Sequence, residues 1–247
     1  MITVDVVWAA FLGYLLGSIP FAFLVVKLFL KGLDIRTVGS KNVGGRNVIR
    51  AFKAEEKSNG LAYTMGITVA ILDMLKGFFA MWLTVYISYA FAKGDPWVIC
   101  FAGPAAILGH NWPIWLLGPG GKGVASTLGS MIFFNPIFLV VWLVLYFLLG
   151  SIIMYSAIAY IVSFIVMGVI LFAWSYIPWF VSAMEVGAGP DPNTLSELGL
   201  IAMITMFAIT VVVLTRQKEN FLKIKTGEAK KMKLYKIFYG KADEVLK

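Results

Sequence analysis

Apolar runs long enough to cross a bilayer recur along the whole chain, separated by short polar stretches. They cover roughly 6–30, 61–92, 97–117, 153–180 and 196–215, and a spanning helix needs about 20 apolar residues. The stretch from Val124 to Leu149 reads either as one long span or as two short ones broken at Asn135-Pro136. Proline there removes a helical hydrogen bond and disfavours helix at the residue before it.

Charge chooses between these two readings. Loop 31–60 carries seven Lys/Arg against three acids, and tail 216–247 carries ten against four. Loop 182–195 holds Glu185 and Asp191 with no Lys or Arg, and the connector at Lys93-Gly94-Asp95 is neutral. Basic segments stay on the cytoplasmic side, and only two short spans across 124–149 put both of them there with the acidic loop opposite. The pattern therefore predicts an all-α, polytopic membrane protein with seven transmembrane helices, two of them short. The amino terminus lies outside and the carboxyl terminus in the cytoplasm. Residues 1–215 form one transmembrane domain and 216–247 a basic tail. With Leu222, Ile224, Met232, Leu234, Ile237 and Phe238 interspersed, that tail reads as an amphipathic helix on the inner leaflet or as a solvated polybasic segment.

Composition agrees. The chain of 247 residues is 60% hydrophobic and only 14% charged, against about 25% charged in soluble domains, and its mean hydropathy is +0.85. The formal charge of +8 fits cytoplasmic loops facing anionic lipid, so a nucleic-acid partner is not expected. The lone Cys100 and lone His110 exclude a disulfide framework within the chain and the multi-cysteine zinc signatures. No metal or organic cofactor is expected.

Chemistry concentrates in three places. The first is Gly109-His110-Asn111-Trp112-Pro113, continuing through Gly118-Pro119-Gly120-Gly121-Lys122-Gly123 into Val124. Glycines let backbone N–H groups turn toward an anion, a helix start adds its dipole, and Lys122 adds charge. The stretch reads as an anion cradle at a membrane surface. The second is the loop from Asp34 to Arg50, with Ser40, Asn42, Asn47, Arg36, Arg46 and Arg50 among glycines 39, 44 and 45. If it is helical near its end, Asn47 and Arg50 share a face, and arginine binds phosphate through two parallel bonds. Lys31, Lys53 and Lys57 read as lipid-facing charges. The third is Asp73 and Lys76, spaced i, i+3 inside an apolar run. They are either part of a functional site or a structural ion pair.

Familiar motifs fail on inspection. Residues 118–123 satisfy G-x-G-x-x-G, but no strand–helix–strand unit fits around them. Walker A would need glycine at Leu116 and Ser or Thr at Gly123. The His-x4-Asp pattern of many glycerolipid acyltransferases meets Trp115 instead.

Three groups of residues carry a resemblance that spans nearly the whole chain. Gly17-Ser18-Ile19-Pro20, Asp34-Ile35-Arg36, Gly39-Ser40-x-Asn42-x-Gly44 and Asn47-Val48-x-Arg50 resemble the first motif of the acyl-phosphate:glycerol-3-phosphate acyltransferases (the PlsY family). Asp73-x-x-Lys76-Gly77 is similar to another of its signatures. Gly109-His110-x-x-Pro113 with Gly120-Gly121-Lys122-Gly123-Val124-Ala125 looks like the second motif. The third motif, approximately His-Arg-x-Asn-Ile ending in Gly-Thr-Glu, departs. Here stand Gln217-Lys218-Glu219-Asn220-Phe221 and Gly227-Glu228. Asn220 matches and Glu228 aligns without the threonine. Gln217 cannot titrate near neutral pH as histidine does. Arg46 stands where threonine is common.

The resemblance implies transfer of an acyl chain from acyl phosphate to the 1-hydroxyl of glycerol 3-phosphate, in a bacterial inner membrane with the site facing the cytoplasm. The partners are those two substrates and membrane lipid. By motif position, Ser40, Asn47, Arg50 and Lys122 bind phosphate, and Gly120, Gly121 and Gly123 form the acyl-phosphate loop. His110, Asn42 and Asn220 are the catalytic candidates, with Asp73, Lys76 and Glu228 as further members. The general base is either a substrate phosphate or His110. Two alternatives remain: another hydroxyl acceptor, because of the third motif, and a transporter of phosphorylated anions. Transporters often show internal repeats, and none of 20–50 residues is present.

Overall fold

The computed structural model describes residues 4–91, 94–174 and 192–232. The acidic loop with Glu185 and Asp191, Lys93 of the connector, and the tail residues Leu234, Ile237 and Phe238 lie outside the described residues. Among the described residues every regular element is helical. In chain order these are α1 (Val4–Gly17), α2 (Phe21–Phe29), α3 (Gly45–Ala54), α4 (Asn59–Phe91), α5 (Ile99–Asn111), α6 (Val124–Phe134), α7 (Ile137–Ile153), α8 (Ser156–Trp174), α9 (Pro192–Thr215) and α10 (Lys218–Lys225).

Among the described residues, four stretches are long and apolar enough to cross a membrane: Asp5–Phe29, Asn59–Phe91, Ser156–Trp174 and Glu197–Thr215. Helices α6 and α7 are shorter apolar helices, separated at Asn135-Pro136 as the proline predicts. Asn135 Oδ1 accepts from the Ile137 N–H at 3.0 Å and caps the new helix. Two expected boundaries shift. The first run is interrupted at Ser18-Ile19-Pro20, so one long helix becomes α1 and α2. The run 97–117 yields a 13-residue α5, about 20 Å long at 1.5 Å per residue, not a full-length span. Pro113 disfavours helix at Trp112, and Leu117 adopts a left-handed conformation at φ 47°.

The chain forms two compact units, Met1–Phe133 and Phe134–Lys247. In the first, helices meet backbone to backbone through glycine. A Cβ on Gly17 would lie 2.0 Å from the Ala106 carbonyl oxygen, and one on Gly109 would lie 2.2 Å from that of Tyr14. This locks α1 against α5. Gly77 of α4 faces the Ser126 carbonyl and Gly129 of α6 faces that of Met74, at 2.1 and 1.8 Å by the same measure. Small residues at such crossings let membrane helices approach closely. Helix α3 buries Val48, Ala51 and Phe52 beside Val26, Ile35, Ala62 and Val69. In the second unit α8 packs with α7 and α9. Trp142 stacks on Phe164, centroids 5.5 Å apart.

Candidate active site

The first loop is organised by Asn47. Its Oδ1 accepts from the Ser40 N–H at 3.0 Å and the Ser40 hydroxyl at 3.3 Å. Its Nδ2 donates to the carbonyls of Ile35 at 3.1 Å and Val38 at 3.0 Å. An amide side chain has two acceptor positions and two donors, so Asn47 is saturated. It is buried, and it shapes the loop instead of presenting a group to a ligand. Gly39, at φ +57°, is required here, because a Cβ would meet Asn47 Oδ1 at 2.5 Å and Arg50 Cδ at 3.2 Å. Ser40, held by Asn47, and Arg50 are both exposed. Asn42 Oδ1 is buried with no hydrogen-bond partner among the described residues.

Arg36 ties this loop to the central one. Its Nε and Nη2 bind the Asp34 carboxylate at 2.7–3.0 Å, and Nη1 donates to the Leu116 carbonyl at 3.2 Å. The Arg36 hydrogen bonds hold the Asp34 carboxyl below its ordinary value of 3.8. A second tie runs from the Val43 N–H to the Gly120 carbonyl at 3.4 Å. Tyr14 donates from its hydroxyl to the Trp112 carbonyl at 2.8 Å.

The glycine loop folds back onto the end of α5. The Gly120 N–H donates to the Asn111 carbonyl at 2.8 Å, and the Gly121 N–H donates to the His110 carbonyl at 3.0 Å. The sequence pattern predicted N–H groups turned toward an anion; these two instead satisfy carbonyls at a helix C-terminus. The glycines are needed for proximity: Cβ atoms there would fall 2.5 Å from Pro113 Cδ and 1.9 Å from His110 Nε2. Lys122 is half-buried. Gly123, at φ +79°, opens α6, and its carbonyl accepts from Thr127 N–H and Oγ1, both at 2.9 Å. A helix N-terminus, the positive end of the helix dipole, therefore follows Lys122 directly.

Beneath the loop lies a buried charged cluster. Asp73, Lys76 and His110 are 3%, 5% and 5% exposed. Lys76 Nζ is 3.0 Å from Asp73 Oδ1 and donates to the Ile19 carbonyl at 2.9 Å. His110 Nδ1 faces the same Asp73 oxygen at 3.5 Å. The sequence left this pair between a functional and a structural reading. The structure brings it to the α1–α2 break and the end of α5, links that require tertiary contacts.

The third-motif residues belong to the second unit. Gln217 is fully buried. Its Oε1 accepts from the Tyr160 hydroxyl and from Asn220 Nδ2, the latter at 2.6 Å, and its Nε2 donates to the Val213 carbonyl at 3.2 Å. Gln217 thus holds Asn220 in place. Glu228 is exposed beyond α10. The tail stays helical to Lys225, then returns so that the Met232 N–H donates to the Met154 carbonyl at 2.7 Å. The anchors Arg36 and Gln217 were missed as site residues. The sequence signals for Arg36 were its place in Asp34-Ile35-Arg36 and among the donors of the first loop.

Comparison with known proteins identifies the family. A family model described as glycerol-3-phosphate acyltransferase matches residues 7–227. A glycerol-3-phosphate acyltransferase of Helicobacter pylori strain J99 is 33% identical over 222 residues, covering 90% of this chain and 92% of the relative. Glycerol-3-phosphate acyltransferase 2 of Thermotoga maritima is 42% identical over 138 residues, covering 54% of this chain and 63% of the relative. Crystal structures of PlsY, an integral membrane glycerol 3-phosphate acyltransferase, match in two forms. The glycerol 3-phosphate form has a TM-score of 0.63 at 28% identity. The lysophosphatidic acid form has 0.65 at 27%. Each match covers 95% of this chain and 98% of the solved chain. The chain belongs to the glycerol-3-phosphate acyltransferase family of integral membrane proteins.

Proposed function

We propose that this protein transfers a fatty acyl group from acyl phosphate to the 1-hydroxyl of glycerol 3-phosphate, yielding lysophosphatidic acid and inorganic phosphate. It works in a bacterial inner membrane, with seven spans, an external amino terminus and the site open to the cytoplasm. The observation that carries this reading is the stitching of two distant loops, Arg36 to Leu116 and Val43 to Gly120. It joins the Ser40–Arg50 loop to the loop before α6. Both substrates carry phosphate, and that junction offers Ser40, Arg50, Lys122 and the α6 N-terminus as donors.

An apolar groove of about 360 Å³, lined by Ile19, Pro20, Phe23, Leu24, Trp115 and Leu116, supports a donor with a fatty chain. Its walls include Ile19 and Leu116, whose carbonyls anchor Lys76 and Arg36. The groove therefore runs alongside the polar site, as an amphipathic substrate requires.

Acyl phosphate is a mixed anhydride and already activated, so the acceptor hydroxyl attacks the acyl carbon directly and phosphate leaves. Alignment of bound reactants supplies about 7–11 kcal/mol of such a barrier. Lys122 and Arg50 stabilise the departing phosphate, and the buried Asn42 Oδ1 accepts a hydrogen bond from a substrate hydroxyl. His110 faces Asp73 with one nitrogen and Gly121 with the other, which favours a substrate phosphate over His110 as the base. Asn220, steadied by Gln217, and the exposed Glu228 keep their motif assignments to the same reaction.

The test is acyl transfer by the purified protein in detergent, with palmitoyl phosphate and labelled glycerol 3-phosphate, and palmitoyl-CoA run in parallel. Lysophosphatidic acid formed from palmitoyl phosphate alone, with a 10- to 150-fold lower kcat/KM in Lys122→Ala, is the expected result. That range corresponds to about 1.5–3 kcal/mol for a hydrogen bond to a charged group. Full activity in Lys122→Ala overturns the assignment. Gln217 and Arg46 favour one second reading, a different hydroxyl acceptor. Phosphate release that appears only with another alcohol would establish it.

A further inference from the structure

We infer that Asp73 and Lys76 are positioning residues, acting through His110 to set the loop that carries Lys122. The kinetic side of this inference rests on the acyltransferase reading; the structural side does not. Lys76 and Asp73 pair within one helix at 3.0 Å, which leaves two ammonium protons and further carboxylate lone pairs to be satisfied by other parts of the fold. Both side chains reach further. Lys76 donates across to the Ile19 carbonyl at the break between α1 and α2, with its ammonium 5.8 Å from the Phe21 ring centroid. Asp73 offers the same oxygen to His110 Nδ1.

That contact fixes the tilt of the imidazole. The opposite nitrogen, Nε2, lies where a Gly121 Cβ would be, 1.9 Å away, with Cε1 and Cδ2 at 2.5 and 2.7 Å. Gly121 is thus gripped twice, by the ring against its Cα and by the His110 carbonyl on its N–H at 3.0 Å. The next residue is Lys122. On the other side of the pair, Gly77 lets Ser126 of α6 close on α4. The two ends of Lys122-Gly123-Val124-Ala125, Gly121 and Ser126, are therefore braced from α4. His110 is a buried strut in this arrangement, and the acceptor on Asp73 determines where the strut stands.

Two double variants isolate that acceptor. Asp73→Leu/Lys76→Met removes both charges and the acceptor, and apolar replacement of a buried pair usually leaves a protein folded. Asp73→Asn/Lys76→Met also removes both charges but keeps an oxygen for His110. Hydrogen exchange of residues 118–123 is measured in detergent, with α8 as the internal reference. The leucine variant should exchange at least about tenfold faster at Gly120 and Gly121, the scale of one lost buried hydrogen bond, while the asparagine variant stays near wild type. In acyl transfer, the leucine variant should show a raised KM for the phosphate-bearing substrates, and the asparagine variant should restore it.

Wild-type exchange in a folded leucine variant overturns the inference, as does equal acceleration in both variants. If the leucine variant fails to fold, Asp73→Ala/Lys76→Met replaces it as the acceptor-free partner of the comparison, and a tenfold loss of protection in the asparagine variant refutes the strut by itself. A wild-type protein that transfers no acyl group would refute the proposed function and leave the exchange result standing.

Discussion

Gly17→Ala tests the idea that the site is aligned by direct backbone contact between α1 and α5. The added Cβ would sit 2.0 Å from the Ala106 carbonyl oxygen and 2.7 Å from its carbonyl carbon and Cα. Unstrained contacts need about 3.5 Å or more, so the helices must part by roughly 1 Å or more. No flexible side chain is present to yield. Overpacking of this kind costs about 1–3 kcal/mol. Better helix propensity returns at most about 1 kcal/mol, and less here because Gly17 is the last residue of α1. The variant should therefore be destabilised by about 1–2 kcal/mol. Ala106 lies four residues before His110 on the same helix, so the displacement reaches the strut beneath the glycine loop. Misplacement by about 1 Å can lower a rate about a hundredfold. Thermal unfolding followed by tryptophan fluorescence in one detergent, with kcat/KM beside it, measures both effects. Gly60→Ala is the control, since nothing lies within 4 Å of a Cβ there, and it should be neutral or slightly stabilising. A Gly17→Ala protein that melts at or above wild type with unchanged activity would refute the reasoning.

Asn47→Ala should lower stability by about 1–3 kcal/mol, because it orphans the Ile35 and Val38 carbonyls and releases Ser40. Chemical denaturation gives the loss, and an Asn47→Ala protein with native stability would remove the loop-organiser role. Asp34→Asn separates by pH. The Asp34 carboxyl is depressed in the folded state, so its contribution is present above the usual carboxylate value and is lost as pH falls through the lower folded one. The variant should melt below wild type at pH 7, and the gap should narrow as pH falls below the ordinary carboxylate value of 3.8; a gap unchanged by acid sinks the clamp. Trp115→Ala opens one wall of the apolar groove and should raise KM for the acyl donor while leaving KM for glycerol 3-phosphate alone. Equal changes in both would disconnect the groove from the chain.

The long spans were legible because hydropathy is a local property, and the break at Asn135-Pro136 was legible because proline acts on its own helix. The same logic read at Pro113 would have shortened α5, but the apolar run through Leu117 masked it. Chemistry was readable by residue type and less so by role. Asn47 carried the right signal for a polar loop, yet its saturation depends on the Ile35 and Val38 carbonyls coming back to it. The glycines at 120 and 121 looked like anion donors because spacing cannot show that their N–H groups close the end of α5. The Lys76–Ile19 and Tyr160–Gln217 bonds each join residues 57 positions apart, and no window of sequence contains either. Gly13-x3-Gly17 and Ala102-x3-Ala106 were visible small-residue spacings, and only packing shows that they face each other.

The spacing of Asp73 and Lys76 also bears on how the chain enters a bilayer. A single Asp or Lys at the centre of an inserting helix costs about 2.5–3.5 kcal/mol. Had the two charges sat on different helices, whichever helix was synthesised first would have waited in lipid with an open charge. Placed three residues apart on α4, they neutralise each other before any neighbour arrives. α4 can thus partition as an independent segment, and its biogenesis sets no deadline for the helices that follow. α5, made later, meets a ready dipole onto which His110 docks.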